Sequence, residues 1–437
     1  MQLRIPESAW APFAGSLSKR SDVESAGVIL AERLNGGEVL LARQLVEFPE
    51  DGYLIRRSDQ LRLDPVVLNR LIRPARDQGL SVITVHTHPG TDRPWFSAAD
   101  DLGDGRLMPS LYSQMDGPHG SVVIAGDSVV ACGRVWSEGF GFSPLAITVV
   151  GTSFNFMRTP QQPTGEGWFA RQELALGKSG QALLRELRVG IVGLGGTGSV
   201  AFTQLAHLGV RRLTVIDGDK VEESNISRIM GTTVFDAGRE YKVDVAARYA
   251  ASLGLKTQVN VLRGHVGRDV PVTELEDCDV ILSCVDRHLP RALLNRLAYE
   301  KAIPLIDMGS AFRVDSTGRI SASAGRVVVV GPGRPCLACW GHLNADRMRI
   351  ESLSASEYAR EVSDGYIIGA EESQPSVIAF NTLVAGAAVI ELLRMVTKFS
   401  GADNAPLRLN FDFDTGTVSR NRVAGGPDCR ICKGTGL

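Results

Sequence analysis

The sequence predicts two domains of different class: an α+β unit over residues 1–148 and an α/β unit over residues 171–437, built on a parallel sheet covered by helices on both faces. Three observations carry this. At 437 residues the chain exceeds one ordinary domain. Residues 149–170, most of which read GTSFNFMRTPQQPTGEGWFA, are rich in Pro, Gly, Thr and Gln and read as a linker. Across that stretch the hydrophobic pattern changes from hairpin-like runs to strands alternating with helices.

In the first unit, residues 24–46 alternate apolar runs around Asn35-Gly36-Gly37, the signature of a hairpin. Residues 65–78 have helical spacing, interrupted at Pro74. A short apolar strand, Ser81 to Val85, ends at His86, and Ser97 is placed to cap a following helix. Two strands near 121–135 close the unit. In the second unit, strand Arg188 to Val192 leads into a glycine loop and a helix, and then into strand Leu213 to Ile216. Further strands fit at 257–262, 279–284, 303–307 and 326–330.

Composition excludes several function classes. A formal net charge of −2 is not the footprint of a nucleic-acid binder. The start, MQLRIPESAW, has no basic region followed by an apolar run, so no secretory signal is expected. The most apolar stretch, Val377 to Leu393, is interrupted by Asn381, Thr382 and Glu391 and reads as a buried core helix, not a membrane span. Seven cysteines without a secretory signal point to a reducing, cytoplasmic setting.

Residues 86–89 read His-Thr-His-Pro at a strand end. Side chains two apart on a strand point the same way, so His86 and His88 offer two imidazoles to one point. Asp100, in the first turn of the next helix, can supply a third ligand. Two His and a carboxylate with a fourth position open make a catalytic zinc site, in which the pKa of water falls to roughly 7. Glu24 is the candidate general base, with Glu32, Glu38 and Glu47 nearby as rivals. Ser97 is the candidate donor to an oxyanion. The bland readings are half-exposed strand histidines and an ordinary Ser97–Asp100 capping pair.

A distant Glu, then H-[ST]-H-P, seven residues and S-x-x-D is the pattern of the JAB/MPN (JAMM) isopeptidases, which residues 1–148 resemble. The resemblance implies a JAB/MPN-like α+β fold. It also implies zinc-dependent cleavage of an isopeptide or peptide bond after the C-terminus of a ubiquitin-like protein.

In the second unit, Gly193, Gly195, Gly196 and Gly198 form a G-x-G-G-x-G loop between a strand and a helix, which suits a phosphate. Asp217 ends the next strand, where a carboxylate can meet ribose hydroxyls. Asp219, Ser224, Asn225, Arg228 and Lys242 follow, and their cations can stabilise phosphate charge. Asp286, at a strand end, is placed to hold Mg²⁺, and Arg171-Gln172 precedes the whole fold. This ordered set resembles the ThiF/MoeB and ubiquitin-activating enzyme family, with Arg287 standing where that family often has Asn. The resemblance implies a Rossmann-like fold and attack of a protein C-terminal carboxylate on ATP to give an acyl-adenylate. It places Gly195, Asp217, Ser224, Asn225, Arg228, Lys242 and Asp286 around the nucleotide. It also implies that Arg171 reaches the ATP of a second subunit in a homodimer.

Cys336-x-x-Cys339 and Cys429-x-x-Cys432 supply the four sulfurs of a closed, structural zinc site. Cys132, Cys278 and Cys284 read as core residues. The segment after Cys339, about residues 343–375, holds no cysteine that could receive an acyl group. The domain is therefore expected to stop at the adenylate or to hand the acyl group directly to a partner such as a conjugating-enzyme-like protein. An oxyester on Ser352, Ser354, Ser356, Ser363 or Ser373 is the weaker alternative. The reading that best joins both halves is a bacterial-type ubiquitin-like modification enzyme using catalytic zinc, structural zinc, ATP and Mg²⁺. Sulfur-carrier activation with carrier-product hydrolysis, and a catalytically decayed scaffold, are the alternatives.

Overall fold

The computed structural model describes residues 1–437 apart from 35–36, 127–129, 140, 153, 158–166, 365–366, 368–374, 400, 402–407, 424, 427 and 434–437. The chain divides into two compact units, residues 1–160 and 161–436. The hairpin turn at Asn35-Gly36 and the candidate Ser373 lie outside the described residues.

The first unit opens with β1 (Gln2–Pro6) and α1 (Glu7–Leu17), then the hairpin β2 (Ala26–Arg33) and β3 (Val39–Glu47). A two-stranded sheet, β4 (Tyr53–Arg56) and β5 (Leu61–Leu63), leads to α2 (Pro65–Gln78), β6 (Ser81–His88) and α3 (Ala98–Tyr112). The unit ends with β7 (His119–Ala125), β8 (Ala131–Trp136), β9 (Phe142–Val150) and β10 (Phe154–Met157). The main sheet runs β1-β3-β2-β6-β7-β8-β9-β10, and β9 also pairs with β1, so the sheet closes on itself. Strand alternation gives it two apolar faces. Ile83 and Val85 pack toward Trp10 and Phe13 of α1, while Val28, Leu30 and Val82 pack toward Ile72 of α2 and Met108 and Leu111 of α3.

Two departures from the sequence reading have physical reasons. The helix over 65–78 continues through Pro74, because Ile72 and Ala75 on either side of it are fully packed in the core. Residues 154–157, within the stretch read as linker, form β10 on the edge of β9, anchored by Phe154 at 1% exposure. The Pro, Thr and Gln around this short strand dominate the local composition and hid it.

The second unit begins with α4 (Ala170–Glu186), which bends at Gly177. It continues through β11 (Arg188–Val192), α5 (Gly196–His207), β12 (Arg212–Asp217), α6 (Lys242–Leu253), β13 (Gln258–Arg263), β14 (Val280–Ser283), α7 (His288–Glu300), β15 (Leu305–Val314) and β16 (Ile320–Val330). Helices α8 (Ala345–Glu351), α9 (Ala355–Ser363) and α10 (Ile378–Thr397) precede strands β17 (Arg408–Asp412) and β18 (Thr417–Asn421). The sheet order is β13-β12-β11-β14-β15-β16-β17-β18.

The parallel sheet expected from sequence is therefore only half the story. Strands β11 to β15 are parallel, but β16, β17 and β18 are antiparallel. The turn between β15 and β16 spans only Asp315 to Arg319, closed by Asp315 N–H to Arg319 O at 2.9 Å, and is too short for a crossover. Among the described residues, α10 is the one helix long and apolar enough to cross a membrane. It packs on α5, β15 and β16, burying Val384, Ala385, Ala388 and Leu392. Two of its polar interruptions have partners: Asn381 bonds Ser310 and Ser376, and Glu391 pairs with Arg394, while Thr382 is exposed.

Candidate functional site

The register of β6 builds the first cluster. His86 and His88 project from the face that meets α3, while Thr87 turns the other way. Its hydroxyl accepts from Ser25 N–H at 2.9 Å, and its own N–H donates to Ser25 O at 2.9 Å. The residue between the histidines thus stitches β6 to the neighbour of Glu24. His88 O accepts from Gly126 N–H and the Thr91 hydroxyl, which fixes the strand end.

His86 Nε2 and His88 Nε2 lie 3.2 Å apart, and Asp100 oxygens lie 3.0 and 3.4 Å from them. Bonds of about 2.0–2.1 Å to a tetrahedral zinc put ligand atoms about 3.3 Å apart, so these three residues fit three corners of such a site. Asp100 plays both roles weighed for it. Its Oδ2 accepts from Ser97 N–H at 2.6 Å and its own N–H donates to Ser97 Oγ at 3.2 Å, a full capping box. That bond sets the carboxylate plane and turns Oδ1 toward His86. Burial opposes ionisation of Asp100, but hydrogen bonds from His86 and His88 outweigh it and hold the carboxyl far below its usual range.

Glu24 is 6% exposed and its Oε1 is 3.9 Å from His88 Nε2. Burial raises its pKa above the ordinary value, which suits a proton acceptor. Two rivals are engaged elsewhere: Glu32 pairs with Arg43, and Glu47 accepts from Ser16. Sequence reading missed Arg56, whose guanidinium bonds Glu24 O at 2.9 Å and Ser25 Oγ at 2.7 Å. It also missed Trp95, half-exposed and edge-on to His88 at 5.0 Å. His88 Nδ1 is buried and has no hydrogen-bond partner among the described residues, so this aromatic contact helps to orient the ring.

The second cluster lies where strand order reverses between β11 and β14, the crevice in which open α/β sheets bind ligands. The glycine loop turns there because a side chain would not fit. A Cβ on Gly198 would stand 1.9 Å from Gly193 O, whereas one on Gly195 would meet nothing within 4 Å. Room is therefore left on the crevice side. Asp217 ties the loop down: its carboxylate accepts Leu194 N–H at 2.7 Å and Asp219 N–H at 2.8 Å. Burial raises its pKa, with Lys242 opposing. Lys242 Nζ sits 2.7 Å from Asp219 and 3.9 Å from Asp217. Burial works against the Asp219 anion, but the Lys242 bond prevails, aided by His265 and Arg287, and its pKa falls.

Asn225 is buried and bonds the Ser224 hydroxyl at 3.2 Å, and Arg228 donates to Ser224 O at 2.6 Å. Met230 N–H donates to Ser199 Oγ, pinning this turn to the first turns of α5. Asp286 is exposed on the loop after β14. Arg171 lies exposed on α4, which packs on α10.

The ThiF family profile matches residues 169–431, more than half of the chain. The chain belongs to the ThiF family. Residues 1–168 lie outside that match. Among curated proteins, the chain is 34% identical over 164 residues to "Adenylyltransferase and sulfurtransferase uba4" of Aspergillus clavatus, covering 38% of this chain and 33% of that one. It is 30% identical over 164 residues to "SAMP-activating enzyme E1" of Haloferax volcanii, covering 38% and 57%. The match spans about a third of the length of the fungal relative. Among solved structures, E. coli MccB aligns with a TM-score of 0.48 at 18% identity, covering 62% of this chain and 73% of that one.

Within the ThiF unit, Cys336 Sγ lies 3.8 Å from Cys339 Sγ and 3.6 Å from Cys429 Sγ, and Cys339 and Cys432 are 3.7 Å apart. Zn–S bonds of about 2.3 Å give a tetrahedral edge of about 3.8 Å, so the four thiols fit zinc with no open corner. Burial opposes ionisation of Cys429, but backbone N–H groups at Cys432 and Ile431 pull it down to about 6. The isolated cysteines differ. Cys278 is 3% exposed, burial pushes Cys132 up to about 11, and burial together with Asp307 pushes Cys284 far above the ordinary thiol range. For Cys132 and Cys284 burial outweighs the nearby Arg134 and Arg291 charges, the opposite of a thiol poised to react. Of the serines weighed as acyl acceptors, Ser354 caps α9 and Ser352 donates to Arg349 O.

Proposed function

We propose that the chain carries two opposed activities toward one ubiquitin-like or sulfur-carrier protein: ATP-dependent adenylation of its C-terminal carboxylate, and zinc-dependent hydrolysis of a peptide or isopeptide bond made at that terminus. The adenylation reading rests on the Asp217–Asp219–Lys242 cluster beside an open glycine loop at the strand-order switch. A carboxylate oxygen of the carrier attacks the α-phosphorus of ATP. The bond from that phosphorus to the β-phosphate oxygen breaks, giving an acyl-adenylate and pyrophosphate. Lys242 and Arg228 stabilise the phosphate charge as it shifts to the leaving group. Asp286 would hold Mg²⁺, which neutralises phosphate charge when bound. Arg171 serves the nucleotide of a second copy, making the enzyme a homodimer. With inert thiols at Cys132, Cys278 and Cys284, the acyl group passes directly to a partner such as a conjugating-enzyme-like protein.

In the N-terminal unit, His86, His88 and Asp100 would hold zinc, which supplies Lewis acidity when bound. Glu24 takes a proton from the attacking water and delivers it to the leaving amine. The Ser97 hydroxyl accepts from Asp100 N–H, and its own proton remains available to donate to the oxyanion. The bond cleaved is C–N, and the carrier regains a free carboxylate.

A sulfur-carrier reading is favoured by the fungal relative described as an adenylyltransferase and sulfurtransferase. In it a sulfide-level sulfur donor attacks the acyl carbon of the adenylate, the acyl–phosphate C–O bond breaks, and AMP leaves to give a thiocarboxylate. One experiment tests the core of both readings: ATP–pyrophosphate exchange with a panel of ubiquitin-like and sulfur-carrier proteins. Exchange that appears with one carrier and vanishes when its C-terminus is amidated supports adenylation. Exchange with none of them, or exchange indifferent to the carboxylate, overturns it. Replacement of one oxygen by sulfur on the carrier, read by mass, selects the second reading.

A further inference from the structure

Asp100 is flanked on both sides by contacts to a single buried guanidinium. Arg134 lies on β8 with its side chain 3% exposed. Its Nε and Nη2 donate to Asp104 Oδ2 at 2.9 and 2.7 Å, and its Nη1 pairs with Asp101. Ser121, on β7, donates to the same Asp104 oxygen. On the other flank the guanidinium lies over Phe96, 3.9 Å from the ring centroid, with the Phe142 ring at 5.0 Å. Phe96 immediately precedes the cap residue Ser97, and Asp101 immediately follows Asp100. The clamp therefore brackets the capping box that presents Asp100.

The kind of contact matters. Apolar packing through Met108 and Leu111 sets the depth of α3 on the sheet but tolerates small rotations. A planar guanidinium bonded to two carboxylates one turn of helix apart is directional, and fixes rotation as well. A rotation of the first turn would carry Asp100 Oδ1 away from His86. Burying such a charge is costly unless it is fully paired, and Arg134 is paired on every side.

We infer that Arg134 is a positioning residue of the N-terminal metal centre: it locks the first turn of α3 so that Asp100 completes the ligand triangle, and it raises zinc affinity without touching the ion. The inference rests on reading His86, His88 and Asp100 as zinc ligands.

Zinc titration of the full chain against a competing chelator tests it. The N-terminal site is defined as the zinc lost in His88→Ala. Arg134→Lys and Arg134→Met should weaken that site roughly 10–100-fold, the range seen when groups supporting metal ligands are removed. Asp101→Asn, at a half-exposed side chain, should weaken it less while leaving the melting of the zinc-free protein near wild type. His88-dependent zinc that binds Arg134→Lys and Asp101→Asn as tightly as wild type overturns the inference alone. So does an affinity loss that only follows the unfolded fraction seen by circular dichroism. Equal zinc in wild type and His88→Ala overturns the metal reading and this inference with it.

Discussion

The four thiols of Cys336, Cys339, Cys429 and Cys432 close a tetrahedron, whereas His86, His88 and Asp100 form three corners of one with a buried Glu24 carboxylate 3.9 Å from His88. The first set joins residues 93 apart in sequence and ties the segment after β18 to the turn after β16. The second draws on one strand end and the next helix, with a buried carboxylate from the loop just before β2. Closed coordination by distant ligands suits a staple, and open coordination beside a buried carboxylate suits chemistry. The difference predicts which substitutions stop reactions and which loosen structure.

Glu24→Gln should show the largest effect. The amide keeps the size of the side chain but cannot take a proton, so hydrolysis of a carrier–lysine conjugate should fall about 10²–10⁴-fold. Zinc content should stay at the wild-type value. Cleavage that survives the substitution would place the base elsewhere and remove the main contrast between the two clusters.

Lys242→Ala comes next. Its ammonium is held by Asp219 beside the glycine loop, so pyrophosphate exchange should fall about 10²–10³-fold, the scale of losing one preorganised charge donor. Conjugate cleavage and zinc content should not change. A parallel loss of cleavage would mean that the two units do not act independently.

Cys429→Ser should act on stability instead. Structural zinc contributes about 10–16 kcal/mol in small zinc-finger peptides, and a fraction of that here, about 3 kcal/mol, would lower the melting of the ThiF unit by roughly 6–12 °C. Zinc should drop by one ion per chain, and cleavage should persist at low temperature. A variant that keeps its zinc and its melting point would reduce the cysteine cluster to four neighbouring thiols.

What could be read in the sequence followed from spacing. His86 and His88 converge because strand period is two, and Asp100 joins them because a helix N-terminus fixes its own third residue. The strand–glycine-loop–helix unit and the ends of β12 and β14 were legible for the same local reason. Thr87, Arg56 and Arg134 were not, because their partners lie 62, 32 and 33 residues away and depend on cross-strand register. The antiparallel half of the second sheet was hidden too, since hydrophobic alternation carries no strand direction. Residues 154–157 were masked by the composition of their neighbours.

The smallest expected effect sharpens the comparison at the level of the scaffold beneath the open site. His119, on β7, is fully buried beside the strand that carries His86 and His88. Its Nδ1 accepts Val82 N–H at 3.1 Å and its Nε2 lies 3.3 Å from Met115 O. Only the neutral ring with its proton on Nε2 satisfies both contacts. Burial lowers its pKa, while the Met115 carbonyl pulls the other way. The unfolded chain takes a proton on this ring below about 6.5, where the folded chain still resists it. Stability from His119 is therefore complete above that pH and declines as acid approaches the depressed folded pKa. Val82 amide exchange in the zinc-free full chain, corrected for intrinsic rates, reads this directly. Protection should weaken as pH falls from 7 to 5, because the open state takes a proton on this ring that the folded state resists. In His119→Gln the same amide should lose that pH dependence, and a Val82 amide equally pH-sensitive in both proteins would assign the effect to another group.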